Sequence, residues 1–341
     1  MNLSRVMSLD LSAAAQHSLK AFDAVEPVVP HSLDHSLGVV EGLFGIDRIL
    51  SDFGRSFVAS YYRQSLPGYS KIYNPWQCMH VALQDGSSTE QQAFFAQARA
   101  VSTHLSGMKG QRVLELGCGL GANTLYLAER HPDVEFVGID LMPEHVTRAT
   151  EKARNLANAS FRAASFEALP DDLGSFDAIL AVETLCYATD LDRVAAQVAR
   201  HLRPGGHMIL FDAHRKTAFD TMPEDVVTAT RLYEITTAVT RGFHVEGAWE
   251  QAFAKAGLDL TAADDVTWKT LPGLSTLHRR SMKAYTSLKW RLALRLLPRH
   301  FARNTVAGLL GYHVCFGSAA QPDPERGAIR YQKVVVRRPR S

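Results

Sequence analysis

Cysteine is scarce in this chain of 341 residues, and its four copies follow no recognisable spacing. They lack the paired arrangement of zinc ligands or of a disulfide framework: Cys78, Cys118, Cys186 and Cys315. No run of eighteen uncharged apolar residues occurs, which argues against a transmembrane helix. Asp10, Gln16 and His17 interrupt the apolar residues near the amino terminus, so no signal peptide is expected. These absences predict a reduced, cytoplasmic protein with no metal site built from its own side chains.

The charge balance does not indicate a nucleic-acid partner. The formal net charge is +2, with 21% charged and 46% hydrophobic residues, an ordinary composition for a globular protein. No RNA- or DNA-binding motif is recognisable, and a nearly neutral chain lacks the basic excess that such partners favour. The length allows one large domain or two smaller ones, and the sequence leaves homo-oligomerisation open.

Acidic residues are absent between Asp265 and Asp323. Basic residues are frequent in the same stretch: Lys269, Arg279, Arg280, Lys283, Lys289, Arg291, Arg295, Arg299 and Arg303. The last four arginines recur every fourth residue, leucines lie between the first three of them, and Pro298 must kink or interrupt any helix there. A basic amphipathic segment over 288–303 suits peripheral contact with an anionic membrane, or an anionic ligand. The alternative is a solvated basic face over a packed helix.

A glycine-rich turn carries the strongest functional signal. The segment Val-Leu-Glu-Leu-Gly-Cys-Gly-Leu-Gly, residues 113–121, reads as an apolar strand, a tight turn and the start of a helix. Gly117 and Gly119 allow the backbone to turn sharply and a ligand to approach without a Cβ in the way. About 20 residues further on, a second strand ends at Asp140, where a Rossmann-like sheet binds ribose hydroxyls.

Strand and helix patterns alternate from residue 111 to 215, which predicts a parallel, doubly wound sheet. Helices are predicted at 123–130, 144–157 and 191–202. Beyond residue 215 we expect an insertion to about 242, a helix near 248–256, a strand near 258–263 and a final strand at 331–336. The expected divisions are a helical amino-terminal lid (1–110), a core (111–265) with a cap insertion (216–242), a basic helical cap (266–320) and a final strand (321–341).

Further blocks strengthen this interpretation. An apolar strand at 176–182 ends beside Glu183, and Leu-Arg-Pro-Gly-Gly at 202–206 stops a helix before another apolar strand. In this order, the blocks resemble class I S-adenosylmethionine-dependent methyltransferases. The resemblance is specific over 111–214. It implies a Rossmann-like seven-stranded sheet, S-adenosylmethionine as the cofactor, and the segments 216–242 and 270–315 as a cap over the active-site mouth.

The resemblance also implies roles in cofactor binding. Gly117 and Gly119 would pass beside the methionine moiety, and Glu115 would orient the loop or meet the amino group. Asp140 would accept hydrogen bonds from the ribose, and Leu141 or Met142 would pack on the adenine. Two further residues follow the third strand: Ser165, where many relatives carry aspartate, and Phe166, in the adenine-flanking position. Packing in the core is the commoner role for a phenylalanine.

Acceptor chemistry is expected just beyond the fourth strand. The segment that begins at Glu183 and contains Cys186 resembles a Glu-Ala-Thr-Cys-His stretch of sterol C-methyltransferases. In those enzymes an acidic residue stabilises the carbocation formed on methylation or removes its proton. Glu183 is our candidate for this role, and Tyr187 would offer a π face to the cation. A solvated or cofactor-orienting carboxylate is the alternative for Glu183.

The segments 60–63 and 73–80 are similar to the amino-terminal lid of sterol and tocopherol methyltransferases, although the Tyr-Gly-Trp-Gly signature of the sterol enzymes is absent. Tyr61, Tyr62 and Trp76 would supply further π faces, or would be ordinary apolar wall. His80 and His214 would instead serve as bases for a phenol or amine acceptor.

We therefore predict a methyltransferase that acts on a lipophilic small molecule, with carbon methylation of an isoprenoid alkene as the leading hypothesis. A sharper hypothesis is a prenyl diphosphate acceptor, with its phosphates bound by Arg279, Arg280 or Lys283 and with Mg²⁺ as a further cofactor. The alternative is an O- or N-methyltransferase of aromatic natural products that uses a histidine base.

Overall fold

Seven strands form a single mixed sheet in the computed structural model, which describes residues 29, 31–85, 88–105, 110–317 and 320–340. The strands are β1 (Arg112–Leu116), β2 (Glu135–Asp140), β3 (Ala159–Ala163), β4 (Phe176–Val182), β5 (Leu202–Arg215), β6 (Asp259–Asp265) and β7 (Ile329–Arg337). Their order is β3-β2-β1-β4-β5-β7-β6, and β7 runs antiparallel to both neighbours. The predicted seven-stranded, doubly wound sheet is confirmed.

Burial explains the sequence of each strand. The central strand β4 reads Phe-Asp-Ala-Ile-Leu-Ala-Val, nearly continuous in apolar residues, because parallel strands are covered on both faces. The edge strand β6 reads Asp-Leu-Thr-Ala-Ala-Asp-Asp and is largely exposed, and acids on an edge discourage pairing with other chains. Strand order reverses between β1 and β4, which creates the crevice where ligands bind in such sheets.

Helices flank this sheet close to their predicted positions. The described helices between Thr89 and Lys255 that belong with it are α4 (Glu90–Phe94), α5 (Ala96–Ser102), α6 (Ala122–Arg130), α7 (Pro143–Lys152), α8 (Leu191–His201) and α10 (Ala248–Lys255). Helix α7 ends at Lys152, short of the predicted 157, because the chain tightens into a 3₁₀ turn over Ala153–Asn155. The sheet and helices share one apolar core that includes Leu114, Ile179 and Trp249.

The chain divides into two units that interleave along the sequence. The sheet unit comprises residues 79–223, 242–270 and 327–341, and the helical unit comprises 1–78, 224–241 and 271–326. Residues 79–110, which we grouped with the amino-terminal lid, therefore fall in the sheet unit. The insertion expected at 216–242 contributes only 224–241 to the helical unit. The helical content expected for residues 1–28 lies outside the described residues.

The helical unit is built around its longest helix. Its described α-helices are α1 (Leu33–Phe44), α2 (Ile46–Leu50), α3 (Val58–Gly68), α9 (Glu224–Thr236), α11 (Leu271–Thr286), α12 (Leu288–Leu296) and α13 (Arg299–Phe316), and a π-helical turn, Tyr69–Tyr73, follows α3. Helix α13 packs against α1, α3, α9 and α11. Pro298 is the residue before α13, so it separates α12 from α13 as predicted. The buried carboxylate of Asp52 accepts hydrogen bonds from Arg299 and from Arg303 Nη1, the latter at 2.6 Å.

Within the part of the chain that the structure describes, no helix is both long and apolar enough to cross a bilayer.

Candidate active site

The glycine loop after β1 requires residues without a Cβ. Gly117 has a φ of +63°, and a Cβ there would lie 1.9 Å from Thr184 Oγ1. Gly119 has a φ of +53°, and its Cβ would lie 2.9 Å from Met79 Sδ. Both the left-handed backbone and the close approach of neighbours exclude larger residues. The loop therefore passes tightly between segment 79–81 and the end of β4.

Glu115 fixes this loop to the helix that follows it. Its carboxylate accepts hydrogen bonds from Asn123 Nδ2 at 3.0 Å, Thr124 N at 3.0 Å and Thr124 Oγ1 at 2.5 Å. Burial raises the pKa of Glu115 to about 7, although these donors oppose the shift. Of the two roles expected for Glu115, these contacts favour orientation of the loop.

Asp140 connects the end of β2 to the same loop. Its carboxylate accepts hydrogen bonds from Gly119 N at 2.9 Å and Met142 N at 2.8 Å, and His145 Nδ1 lies 3.2 Å from Oδ1. An ionised carboxylate offers about four lone-pair positions, so capacity for ribose hydroxyls is left. The predicted ribose-binding acid thus also holds the glycine loop in place.

The residues expected around an adenine differ in exposure. Leu141 is 63% exposed beside Asp140, whereas Met142 is buried. Ser165 Oγ accepts a hydrogen bond from Glu167 N at 3.2 Å, within a short turn after β3. Phe166 is partly buried and packs against the apolar core. Leu141 is thus the expected adenine contact with the most accessible apolar surface.

Glu183 stands in a strained position at the end of β4. Its φ is +48°, a left-handed conformation that is rare for a residue with a side chain. Its Oε1 accepts hydrogen bonds from Val81 N at 2.8 Å and Tyr331 Oη at 2.9 Å. Burial raises the pKa of Glu183 to about 8, against the effect of these two donors. The next residue, Thr184, packs on Gly117, so the chain at the end of β4 runs beside the glycine loop.

Tyr331 and Gln97 complete a network that sequence analysis missed. Gln97 Nε2 donates to Val81 O at 2.8 Å and lies 3.5 Å from Tyr331 Oη. Burial, followed by the nearby Glu183 carboxylate, raises the pKa of Tyr331 well above its usual range, so the phenol stays protonated and donates. Tyr331 and Glu183 lie far apart in the chain, so nearby residues do not reveal their contact. The sequence shows only that the last predicted strand contains a tyrosine.

A second buried acid lies on the neighbouring strand. Asp212 in β5 accepts hydrogen bonds from Cys186 N at 2.8 Å and Ala213 N at 2.9 Å. Burial raises the pKa of Asp212 to about 7, and its charge also raises the pKa of Glu183. Asp212 therefore supports the turn that contains Leu185–Tyr187 and adds to the electrostatic field at Glu183.

The two histidines considered as bases are both buried. His80 directly precedes Val81, and burial lowers its pKa to about 4. His214 is fully buried in β5, where burial lowers its pKa to about 4. Tyr187 is partly exposed after β4, in the 3₁₀ turn Leu185–Tyr187. His80 adjoins Val81, whose amide binds Glu183, and Tyr187 follows Glu183 closely in the sequence. His214 adjoins neither residue.

The other acceptor-binding candidates belong to the helical unit. Tyr61 is buried, and its hydroxyl lies 2.7 Å from Tyr69 Oη. Tyr62 packs edge-on against Tyr61, and Trp76 is partly exposed. On α11, Arg279 and Arg280 are partly buried and Lys283 is exposed. No group of three or more potential metal ligands exists among the described residues.

Part of the sheet unit is similar to a known protein family. Residues 113–206 match the methyltransferase domain family. These residues are therefore similar to a methyltransferase domain, and the sheet that contains them has the fold of known methyltransferases. A curated relative is the fatty-acid O-methyltransferase of Mycolicibacterium smegmatis, 28% identical over 190 residues, which are 56% of this chain and 58% of the relative. The chain spans little more than half the length of the curated relatives that it matches first.

Solved structures share the fold over most of their length. The cyclopropane synthase MmaA2 of Mycobacterium tuberculosis has a TM-score of 0.66 at 15% identity and covers 83% of this chain and 99% of its own. The geranyl diphosphate C-methyltransferase of Streptomyces coelicolor A3(2) has a TM-score of 0.55 at 16% identity, with 82% and 98% covered. A specific similarity to sterol or tocopherol methyltransferases is not among these findings.

Proposed function

We propose that this protein is an S-adenosylmethionine-dependent methyltransferase that methylates an alkene carbon of a lipophilic, isoprenoid acceptor. The observation that carries the proposal is Glu183, whose backbone is strained and whose carboxylate is held by Val81 N and Tyr331 Oη, one residue before the Thr184 that packs on the glycine loop. Strain of this kind persists where the surrounding structure fixes a residue for a function.

The residues of the sheet unit fit the cofactor. Gly117 and Gly119 leave room for close approach, Asp140 has spare acceptor capacity, and Leu141 presents apolar surface. When bound, S-adenosylmethionine supplies an electrophilic methyl group, and the sulfonium needs no acid to leave. The protein would align the acceptor and exclude water, since these effects dominate such displacements.

Glu183 would act on the acceptor. As the alkene π electrons form the new carbon–carbon bond, the carbon–sulfur bond breaks with its electron pair left on sulfur, and a carbocation forms on the acceptor. The Glu183 carboxylate would stabilise this cation and then remove a neighbouring proton to restore an alkene. A positive charge nearby lowers a carboxyl pKa, so the developing cation would favour the ionised form of Glu183.

Two observations support a lipophilic acceptor with an anionic group. The fold is shared with a geranyl diphosphate C-methyltransferase whose crystals contained Mg²⁺ and geranyl diphosphate. Arg279, Arg280 and Lys283 provide cationic donors on α11 that suit a diphosphate. The described residues offer no cluster of metal ligands, so any Mg²⁺ would be held mainly by substrate phosphates.

The test uses methyl-labelled S-adenosylmethionine with prenyl diphosphates, sterols, quinols, fatty acids and phenols, each with and without Mg²⁺. We expect label in the carbon skeleton of an alkene acceptor, at a rate that Glu183→Gln lowers by roughly 100-fold or more. Label that enters only hydroxyl, carboxyl or amino groups would contradict the carbocation mechanism.

An O- or N-methyltransferase is the second candidate. It is favoured by the similarity to a fatty-acid O-methyltransferase and by the position of His80, directly before the Val81 amide that binds Glu183. In this case His80 would be the base. His80→Ala would then abolish labelling of the acceptor while Glu183→Gln retained it, the reverse of the result expected for alkene methylation.

A further inference from the structure

Helix α12 differs from the helices on either side of it because it contains no buried residue. Leu288, Leu292 and Leu296 are 72%, 52% and 76% exposed. They recur every fourth residue, so they form one continuous apolar stripe along the helix. Leu297, which follows the helix, is also exposed. Exposed leucines in this arrangement indicate a surface that faces something other than water.

Cations border the stripe. Lys289, Arg291 and Arg295 are all exposed, and none of them forms an ion pair with any residue that the structure describes. At about 100° per residue, Lys289 lies on one side of the leucines, and Arg291 and Arg295 lie on the other. The helix therefore has an apolar centre with positive margins, the pattern of helices that lie in a membrane interface.

The arginines of the next helix do not belong to this surface. Arg299 and Arg303 both donate to the carboxylate of Asp52, and Arg303 is buried. The four arginines that recur from 291 to 303 are therefore divided by Pro298 into an exposed pair and a structural pair. The surface consists of residues 288–297, which we name the α12 surface.

We propose that the α12 surface binds an anionic lipid bilayer by inserting its leucines at the headgroup boundary. Charge complementarity supports this partner, since no acidic residue occurs between Asp265 and Asp323. A second copy of the chain is disfavoured, because a symmetric contact through this surface would bring two sets of three cations together without an acid from the same stretch. The inference does not depend on the reaction that the protein catalyses.

The experiment measures sedimentation of the full chain with phosphatidylcholine vesicles, with and without about one-third phosphatidylglycerol. We expect binding only to the anionic vesicles, with a loss as salt rises. The triple variant Lys289→Gln/Arg291→Gln/Arg295→Gln should bind about 100-fold more weakly, because each cation near an anionic surface contributes roughly fivefold. Leu292→Gln/Leu296→Gln should weaken binding about tenfold or more, even in low salt.

Leu260→Gln is the matched control. Leu260 is 51% exposed on the edge strand β6, next to Asp259, so its replacement should not change vesicle binding. Equal binding to neutral vesicles, or unchanged binding by both α12 variants, would overturn the proposal. A change in sedimentation velocity of the lipid-free variants would instead identify the α12 surface as a contact between copies. A large fall in the melting temperature of Leu292→Gln/Leu296→Gln would show that these leucines pack against the chain itself, which would also overturn the proposal.

Discussion

The hydroxyl of Tyr331 in β7 donates a 2.9 Å hydrogen bond to the carboxylate of Glu183 at the end of β4. This bond lowers the pKa of Glu183 against the larger effect of burial. Tyr331→Phe removes the donor and should move the ascending limb of the profile of kcat/KM against pH upward by roughly one pH unit, as expected for a hydrogen bond to a charged group.

Tyr285→Phe is the control for this prediction, because Tyr285 is also a buried tyrosine whose hydroxyl shares a hydrogen bond, in its case with Thr305. If Tyr331→Phe lowers kcat equally at every pH, the phenol has a structural role only.

Glu183→Gln should lower kcat by roughly 10²–10⁴-fold, the usual contribution of a positioned acid or base. The proposed mechanism uses the ionised form of Glu183, and the pKa of this residue in the free protein is about 8, so wild-type kcat/KM should rise with pH up to about 8. Binding of S-adenosylhomocysteine, followed by calorimetry, should change little. Glu183→Asp offers a second variant that keeps the charge, and it should recover part of the activity.

The raised pKa of Glu183 also predicts a pH effect on stability. The folded protein holds this proton up to about pH 8, whereas the unfolded chain releases it near 4.5, so the contribution to stability is complete at low pH and is lost as pH rises from about 4.5 to about 8. Glu183→Gln, which cannot ionise, should therefore gain in melting temperature relative to wild type over this range, by roughly 2–5 °C at pH 8.

The melting temperature of Glu224→Gln, which replaces an exposed carboxyl in α9, is the reference for this comparison. A difference between Glu183→Gln and wild type that does not vary with pH would contradict the raised pKa.

Gly117→Ala should abolish measurable binding of S-adenosylhomocysteine. The added Cβ would lie 1.9 Å from Thr184 Oγ1, at a φ of +63° that alanine rarely adopts. The double variant Gly117→Ala/Thr184→Gly relieves the collision and should recover part of the affinity. Gly38→Ala in α1 is the control, since a Cβ there meets nothing within 4 Å. Wild-type affinity in Gly117→Ala would exclude this loop from the cofactor site.

Local sequence patterns were sufficient to predict the strands of the sheet and the loops at its crevice. Continuous apolar runs predicted the central strands, and the glycines after β1 and Asp140 after β2 marked the loops at the crevice. Most predicted ends lie within one or two residues of those observed, because capping and turn residues act over a few positions. Two ends differ more. Helix α7 stops at Lys152, where the 3₁₀ turn left no composition signal, and β5 begins at Leu202, within the segment 202–206 that was expected to precede the strand.

Long-range partners could not be predicted in this way. Tyr331 is 148 positions from Glu183, and Arg303 is 251 positions from Asp52. The charge of Arg303 in the sequence suggested a solvated or lipid-facing residue, because nothing nearby indicated the buried carboxylate that binds it. The boundaries of the two units could not be predicted from the sequence either, because each unit is assembled from three separate segments.

The position of β7 has a consequence for how the chain folds during synthesis. Strand β7 is made after every other described strand, yet it lies between β5 and β6, and β6 pairs with no other described strand. The helical unit likewise needs residues as far as 326. While residues 327–337 are still in the ribosome, β6 has no partner, and the open edge of β5 can pair with other chains. The sheet can therefore be completed only once β7 has left the ribosome, and until then the nascent protein is a natural client for chaperones.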